Sequence, residues 1–243
     1  MANISRITES FSATVRCLGW GNGLTYILSQ GLLRLSRGYV RIIKYHLVVQ
    51  PLRNGLGIPM RRGRDIEIRE IGPGDQLLGA MGHPPATIAN RLRQGSRCLA
   101  ALKEGELAGF LWWVEGAYEE DEVRCLFVPE PEGLAVWDFD VYVSPHKRAG
   151  PVFARLWDAA SRCLVAAGYR YTCSRISAFN PASLAAHERL GARVVAKRLF
   201  ICLGRLQVMV GGRRRPLHVS ISDSSRPRVR VALPGSLLSD RLA

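Results

Sequence analysis

The sequence lacks several patterns that would assign it to a common class of protein. Its six cysteines include no C-x-x-C pair, and its five histidines are scattered without the spacing of metal ligands, so no metal site is expected. No apolar run is long enough to cross a bilayer, and the polar, glycine-broken start has no apolar segment typical of a secretory signal. These absences favour a cytoplasmic protein whose cysteines are free, buried thiols.

Acidic residues are scarce at both ends of the chain, which has 243 residues and a net charge of +14. Residues 1–64 hold ten Lys or Arg and one acidic residue, and residues 192–243 hold eleven and two. The middle, residues 65–191, holds thirteen basic and seventeen acidic residues. A polyanionic surface would therefore attract the ends of the chain more than its middle.

The hydrophobic periodicity of the middle predicts an α/β series. Predicted strands cover 65–71, 98–116 (a hairpin), 123–128 paired with 135–143, 169–179 and 192–210, and predicted helices cover 73–82, 85–95, 151–168 and 181–191. We predict one domain over 65–210, preceded by a basic N-terminal extension over 1–64. Residues 211–243 show little core-forming pattern and are predicted to be a basic, flexible tail.

The N-terminal extension contains a cationic amphipathic segment. Its apolar residues recur at helical spacing over 23–38, and the β-branched stretch 39–52 is predicted to be extended. Two interpretations stay open and are compatible. The helix and strand pack onto the domain with their arginines in solvent, or the segment contacts an anionic lipid surface at the inner face of a membrane.

The order of motifs in the middle resembles the GNAT superfamily of N-acetyltransferases. A strand ending V-Y-V-S-P is followed by a basic turn, a helix, a second strand and then N-x-x-S-x-x-x-H-x-x-x-G. The resemblance implies a mixed, mostly antiparallel central sheet flanked by helices, with a V-shaped opening between two central strands. It also implies an acyl group carried by a coenzyme A thioester, attacked directly by an amine, with no metal.

In that family the strand and the turn after it hold coenzyme A, with backbone N–H groups at a helix start on the pyrophosphate. The corresponding residues here are Val141, Val143, Lys147, Arg148, Ala149 and Gly150. The sequence departs from the family's pattern at Pro151 and Phe153, where small residues are preferred. Proline has no N–H, so at least one phosphate donor is missing, and the basic side chains of the turn are an alternative source of attraction.

The second motif implies roles for three residues. Asn180 and Ser183 fall where the family holds the pantetheine arm, and His187 falls where a tyrosine protonates the leaving thiolate. An imidazole has an ordinary pKa near ~6.5 and is chemically capable of that proton transfer. The alternative is that His187 packs or caps a short helix that ends at Gly191.

A base for the amine is expected on the strand that covers 135–143. Strict alternation would place Asp138, Asp140 and Tyr142 on one face, and the resemblance implies that a carboxylate near this strand accepts the amine proton. The alternative for Asp138 and Asp140 is an ion-paired face, with Arg175 of the neighbouring strand as a partner.

The charge pattern and the resemblance together indicate which classes of amine acceptor to consider. A lipidic amine suits the membrane interpretation, and the chain would then be similar to the branch that uses long-chain acyl-CoA, such as bacterial ceramide synthesis. A small soluble amine is the alternative, as is an inactive binding module of the same fold. Nucleic acid is the less favoured partner because no aromatic platform interleaves with the basic clusters. A homodimer is compatible with all of these.

Overall fold

The structure is a computed structural model and describes residues 14–57, 59, 62–212 and 216–232. Its helices are α1 (Trp20–Leu35), α2 (Pro85–Arg93), α3 (Val152–Ala166) and α4 (Pro181–Arg189). Short 3-10 helices cover Gln76–Met81, Pro145–Lys147 and Asp223–Ser225. The strands are β1 (Val40–Pro51), β2 (Ile66–Ile71), β3 (Arg97–Lys103), β4 (Glu106–Glu115), β5 (Tyr118–Glu119), β6 (Leu126–Pro129), β7 (Ala135–Val143), β8 (Tyr171–Ser177), β9 (Arg193–Leu203), β10 (Leu206–Val210), β11 (Leu217–Ser220) and β12 (Arg228–Val231).

Nine of these strands form one sheet in the order β11-β10-β9-β1-β8-β7-β4-β3-β2, and β12-β6-β5 form a second. The pairs β2–β3, β3–β4, β4–β7, β9–β10 and β10–β11 are antiparallel, whereas β7 and β8 are parallel. This confirms the predicted mixed, mostly antiparallel sheet. The hairpin predicted over 98–116 is confirmed as β3–β4, while 123–128 does not pair with 135–143 as predicted, because β4 and β8 already flank β7.

The pairing of β7 with β8 is short. It joins Ala135 to Tyr171, Val136 to Thr172 and Trp137 to Cys173, although β7 continues to Val143 and β8 to Ser177. The ladder therefore ends before either strand does, and the V-shaped opening stays a prediction.

The chain divides into two compact units. The first comprises the described residues within Met1–Val48, Glu122–Leu126 and Arg175–Val229, and the second comprises those within Val49–Asp121, Phe127–Ser174 and Arg230–Ala243. The predicted domain boundaries at 64/65 and 210/211 stay a prediction. The predicted flexible tail needs correction, because Leu217–Ser220 pairs with β10 and Arg228–Val231 joins the second sheet. Residues 213–215 and 233–243 of this tail lie outside the described residues.

The first unit is built around β1. Helix α1 lies on it through small and polar side chains, and the Ser29 hydroxyl donates to the carbonyl of Ile42 at 2.8 Å. The turn between β9 and β10 contains Gly204 at φ 55°, where a Cβ atom would lie 2.6 Å from the ring of Tyr39. A glycine is required there because neither the backbone angle nor the space suits a side chain.

The second unit holds four fully buried tryptophans, Trp112, Trp113, Trp137 and Trp157. Helix α3 covers β2, β3, β4 and β7 on one face of the sheet. Burial of such side chains supplies the main favourable term in folding. In the part of the chain that the structure describes, no helix has both the length and the apolar character to cross a bilayer.

Candidate active site

Strand β7 departs from regular alternation at the position where the base was expected. Phe110 of β4 pairs with Tyr142 and Trp112 pairs with Phe139, so Asp140 and Val141 together oppose one residue of β4. This is a β-bulge, and Asp140 adopts a φ of 49°, a left-handed conformation that Asp tolerates better than most residues. The bulge breaks the strict alternation from which Asp138 and Asp140 were predicted to share a face.

Asp138 lies directly after the last β7–β8 pair and is 2% exposed. Burial raises the pKa of its carboxyl to about 7, and the nearby hydroxyls of Thr172 and Ser174 oppose that rise. Asp138 Oδ1 and Thr172 Oγ1 lack a hydrogen-bond partner among the described residues, so the Thr172 hydroxyl lies close to the carboxyl without ordinary hydrogen-bond geometry. A carboxyl with a pKa near neutrality is suited to accept a proton at pH 7.

Asp140 has a different environment. Its Oδ2 accepts a hydrogen bond from Arg91 Nη1 at 2.5 Å and lies 2.6 Å from Nε2 of His83, off the direction of a hydrogen bond. Its side chain is 25% exposed, whereas that of Arg91 is 6% exposed. Asp140 is thus an ion-paired carboxylate. Ion pairing is the alternative role expected from the sequence, but with Arg175 as the partner, whereas the structure shows Arg91.

The guanidinium of Arg91 contacts two carboxylates and two aromatic rings. Its Nε donates to Asp121 Oδ2 at 2.8 Å, and the hydroxyl of Tyr118 donates to the same oxygen at 3.0 Å. The guanidinium lies 5.5 Å from the ring centre of Trp112 and 5.2 Å from that of Phe139. Burial lowers the pKa of Arg91, but the two carboxylates outweigh it and raise that pKa above its usual value.

The turn after β7 satisfies much of its own backbone. The N–H groups of Lys147, Arg148 and Gly150 donate to the carbonyls of Ser144, Pro145 and Lys147 at 2.8, 3.4 and 3.0 Å. Arg148 Nε donates back to the carbonyl of Val143 at 3.1 Å. The first bond of α3 runs from Arg155 N to the carbonyl of Pro151. The predicted phosphate-binding turn therefore offers few backbone donors, and its predicted role stays a prediction.

In the first unit, Asn180 has a clear structural role. It is the N-cap of α4, where its Oδ1 accepts from the backbone N–H of Ser183 at 3.1 Å. At the other end Gly191 has a φ of 94°, and the N–H of Ala192 reaches the carbonyl of His187 at 3.0 Å. The spacing of the motif is thus explained by the two caps of a short helix, while the predicted pantetheine contacts of Asn180 and Ser183 stay predictions.

His187 is 3% exposed on the inward side of α4. Burial lowers the pKa of its imidazole to about 4. The side chain is therefore neutral at pH 7 and does not supply an imidazolium proton. Its predicted contact with the leaving thiolate stays a prediction.

The first unit also contains a cavity of about 200 Å³. Its lining residues are Ser29, Gln30, Leu33, Arg41, Ile42, Ile43, Lys44, Tyr45, Glu122, Ser177 and Phe179. The hydroxyl of Tyr45 donates a short hydrogen bond to Glu122. Arg175 Nη2 lies 3.8 Å from Glu122, and its guanidinium lies 4.8 Å from the ring centre of Tyr45. A carboxylate beside a cavity is a group that an ammonium would contact.

Sequence reasoning missed His83, Arg91 and Glu122. Each is a single polar residue in a loop or short helix, without a spacing motif, and only tertiary contacts place it beside Asp140 or Tyr45. Among the described residues, no group of three His, Cys, Asp or Glu side chains lies where it could hold a metal ion.

Comparison of the chain with protein-family models and with curated proteins finds no match. Solved structures give weak likenesses. A Drosophila protein is 18% identical at a TM-score of 0.46. The matched region covers 73% of this chain and 57% of the Drosophila chain. A protein described as a putative GNAT-family acetyltransferase, from Novosphingobium aromaticivorans, is 17% identical at a TM-score of 0.41, covering 66% and 65%.

A third structure is the aminoglycoside N-acetyltransferase AAC(6')-Iy in complex with CoA, whose organism its description does not give. It is 22% identical at a TM-score of 0.41, with 52% of this chain and 86% of that chain covered. This chain spans less than two thirds of the Drosophila and Novosphingobium proteins. At these scores the likenesses add nothing to the argument from the strands and side chains.

Proposed function

We propose that the chain is an N-acyltransferase that moves an acyl group from a coenzyme A thioester to an amine. The observation that carries the proposal is the end of the β7–β8 pairing at Trp137 and Cys173, followed at once by Asp138 with its buried, unpartnered oxygen. The resemblance of the motif order to the GNAT superfamily supports the same reaction.

In the proposed reaction the amine nitrogen attacks the thioester carbonyl carbon. A C–N bond forms, the C–S bond breaks, and the amine proton passes to Asp138, whose pKa of about 7 leaves a useful fraction ionised at neutral pH. A backbone N–H at the bulge of β7 is proposed to stabilise the oxyanion. The coenzyme A thiolate departs and takes its proton from solvent.

For the substrates, we propose a long-chain acyl-CoA and a lipidic amine such as a sphingoid base, acting at a membrane surface. The cationic helix α1 and the carboxylate of Glu122 beside the first unit's cavity support this choice. A small soluble amine is the alternative acceptor.

The test is release of free coenzyme A thiol from acetyl-CoA and from palmitoyl-CoA, each with a sphingoid base and with a small polyamine. We expect turnover with the long-chain donor, together with a rise in melting temperature when that donor binds. The matched variants are Asp138→Asn, expected to keep donor binding and lose turnover, and Leu134→Gln, expected to change neither. Absence of binding by both donors would refute the proposal.

A second function is an inactive binding module of the same fold. The specific observation in its favour is the turn before α3, where three backbone N–H groups are already hydrogen-bonded and Pro151 has none. A chain of this kind would bind neither acyl-CoA nor free coenzyme A, so the same melting experiment separates the two functions.

A further inference from the structure

Helix α1 has one face that packs within the first unit and an opposite face that does not. On a wheel of about 100° per residue, Asn22, Gly23, Tyr26 and Ser29 lie on one side. That side is the packed one: Gly23 and Ser29 are buried, Tyr26 meets the ring of Phe179 at 5.3 Å, and Lys44 Nζ donates to Asn22 at 2.8 Å.

The other face carries large apolar side chains into solvent. Trp20, Leu24, Leu28 and Leu35 fall within roughly 80° of one another, opposite the packed face. Their exposures are 71, 50, 55 and 86%. We call these four residues the α1 stripe. Core packing does not explain the stripe, because the face that packs on β1 is the one built from small and polar residues.

Positive charge surrounds the stripe. Arg34 and Arg37 are exposed at its C-terminal end, and Tyr39, 64% exposed, follows directly. Arg16 is exposed just before Trp20. Residues 16–44 hold five of the ten Lys or Arg residues of 1–64 and no acidic residue.

We propose that the α1 stripe docks on the surface of an anionic lipid bilayer, with the helix lying in the plane of the interface. Trp and Leu on one face and Arg at the edge is the composition of an interfacial helix, in which apolar burial and attraction to anionic headgroups act together. With 16 residues, α1 is too short to span the hydrocarbon core.

The charge and the exposed leucines of this surface favour a bilayer over other binding partners. A second copy of the chain docked through the same stripe would bring two sets of arginines together, which costs free energy. A nucleic acid would pair with the arginines but leave the leucines of the stripe in water. The proposal depends on exposure and charge in the first unit and does not depend on the proposed acyl transfer.

The chain carries its own reporter for this test. Of its five tryptophans, Trp20 is exposed and the other four are 0% exposed. A change in emission or in quenching by acrylamide on addition of vesicles therefore reports Trp20. The full chain is mixed with vesicles of phosphatidylcholine alone or with a quarter phosphatidylglycerol, over a salt series, and bound protein is also measured by sedimentation.

We expect Trp20 emission to shift to the blue and acrylamide quenching to fall only with the anionic vesicles. Leu24→Gln with Leu28→Gln keeps helix propensity and should weaken binding on the order of tenfold or more, since burying one leucine is worth about that factor. Arg34→Gln with Arg37→Gln should weaken binding most at low salt. The matched controls are Leu134→Gln, at 38% exposure in the second unit, and Arg93→Gln.

Several results would overturn the proposal. They are absence of vesicle binding at low salt, binding that the leucine variant does not weaken, and protection of Trp20 that rises with protein concentration without vesicles. Tighter binding to an oligonucleotide than to anionic vesicles would do the same. Because the readout is vesicle binding, the experiment tests bilayer docking separately from the proposed acyl transfer, and either proposal can be refuted without the other.

Discussion

Asp140 Oδ2 lies 2.5 Å from Nη1 of Arg91, and this ion pair fastens the bulge of β7 to helix α2. Arg91 is 49 residues before Asp140 in the chain, and its other bond reaches Asp121. A single buried guanidinium therefore links the helix, the loop after β5 and the strand that carries Asp138. The candidate base, Asp138, therefore lies on a strand whose bulge is anchored by an ion pair to helix α2.

We expect Arg91→Ala to destabilise the protein by up to about 3 kcal/mol, because it leaves two carboxylates that are only 19 and 25% exposed without their cation. The measurement is urea unfolding. The matched control is Arg230→Ala, which removes an ion pair to Glu130 at 2.9 Å from a side chain that is 77% exposed, and should cost less than about 1 kcal/mol. Equal losses in the two variants would contradict the assignment of Arg91 as a buried anchor.

Asp138→Asn should make the protein more stable at alkaline pH. The pKa of Asp138 is raised to about 7 in the folded chain from 3.8, so the folded state binds the proton more tightly than the unfolded state between those values. Its contribution is present at low pH and is lost as pH rises to about 7. The variant should match the wild type near pH 4 and exceed it at pH 8 by a few kcal/mol at most, on the order of ~2; an unchanged difference across this range would contradict the raised pKa.

The stability contributed by His187 should depend on pH in the opposite sense. Its pKa is lowered from 6.5 to about 4, so the unfolded chain binds the proton more tightly. Stability contributed by this residue is full above pH 6.5 and is lost as pH falls towards 4. An NMR titration should find the imidazole neutral at pH 6, and His187→Gln should flatten the acid side of the stability profile. A titration midpoint near 6.5 would show that the ring is solvated.

Gly109→Ala should be costly, because a Cβ atom there would lie 2.6 Å from the backbone oxygen of Tyr142. We expect a loss of roughly 1 to 3 kcal/mol from the forced separation of β4 and β7. Gly31→Ala is the matched control: a Cβ at that position in α1 meets nothing within 4 Å, and the helix should gain up to about 1 kcal/mol. Thermal unfolding of both variants measures the difference.

Asn180→Asp separates capping from donor binding. A carboxylate accepts the Ser183 N–H as well as the amide oxygen does and suits a helix N-terminus, so the melting temperature should hold. The lost amide N–H group should raise KM for the acyl-CoA if Asn180 contacts the pantetheine arm. Asn180→Ala should lower stability by about 0.5 to 2 kcal/mol. An unchanged KM in both variants would leave Asn180 as a cap alone.

Much of the element order was readable from local patterns. The spacing over 23–38 predicted α1, the β-branched stretch after it predicted β1, and the turn residues before 106 predicted the β3–β4 hairpin. Gly191 was correctly predicted to end α4. These features depend on helix periodicity, alternation and left-handed backbone angles, which are properties of short segments.

The errors share a cause. Alternation placed Asp138 and Asp140 on one face, but a bulge moved them to different environments. The tail beyond 211 has little pattern of its own, yet Leu217–Ser220 forms a strand because β10 offers it a free edge. In both cases the outcome depends on a partner strand that is remote in sequence or that shifts the register.

The sequence by itself determined the helices, most strands, the caps of α4 and the uneven charge, because each depends on neighbours within a few residues. Only the tertiary structure decided which polar groups became unusual. It buried Asp138 and His187, tied Arg91 to Asp140 and turned the α1 stripe outward. Desolvation and pairing depend on what surrounds a side chain in space, and a pKa or an exposed apolar face follows from those surroundings.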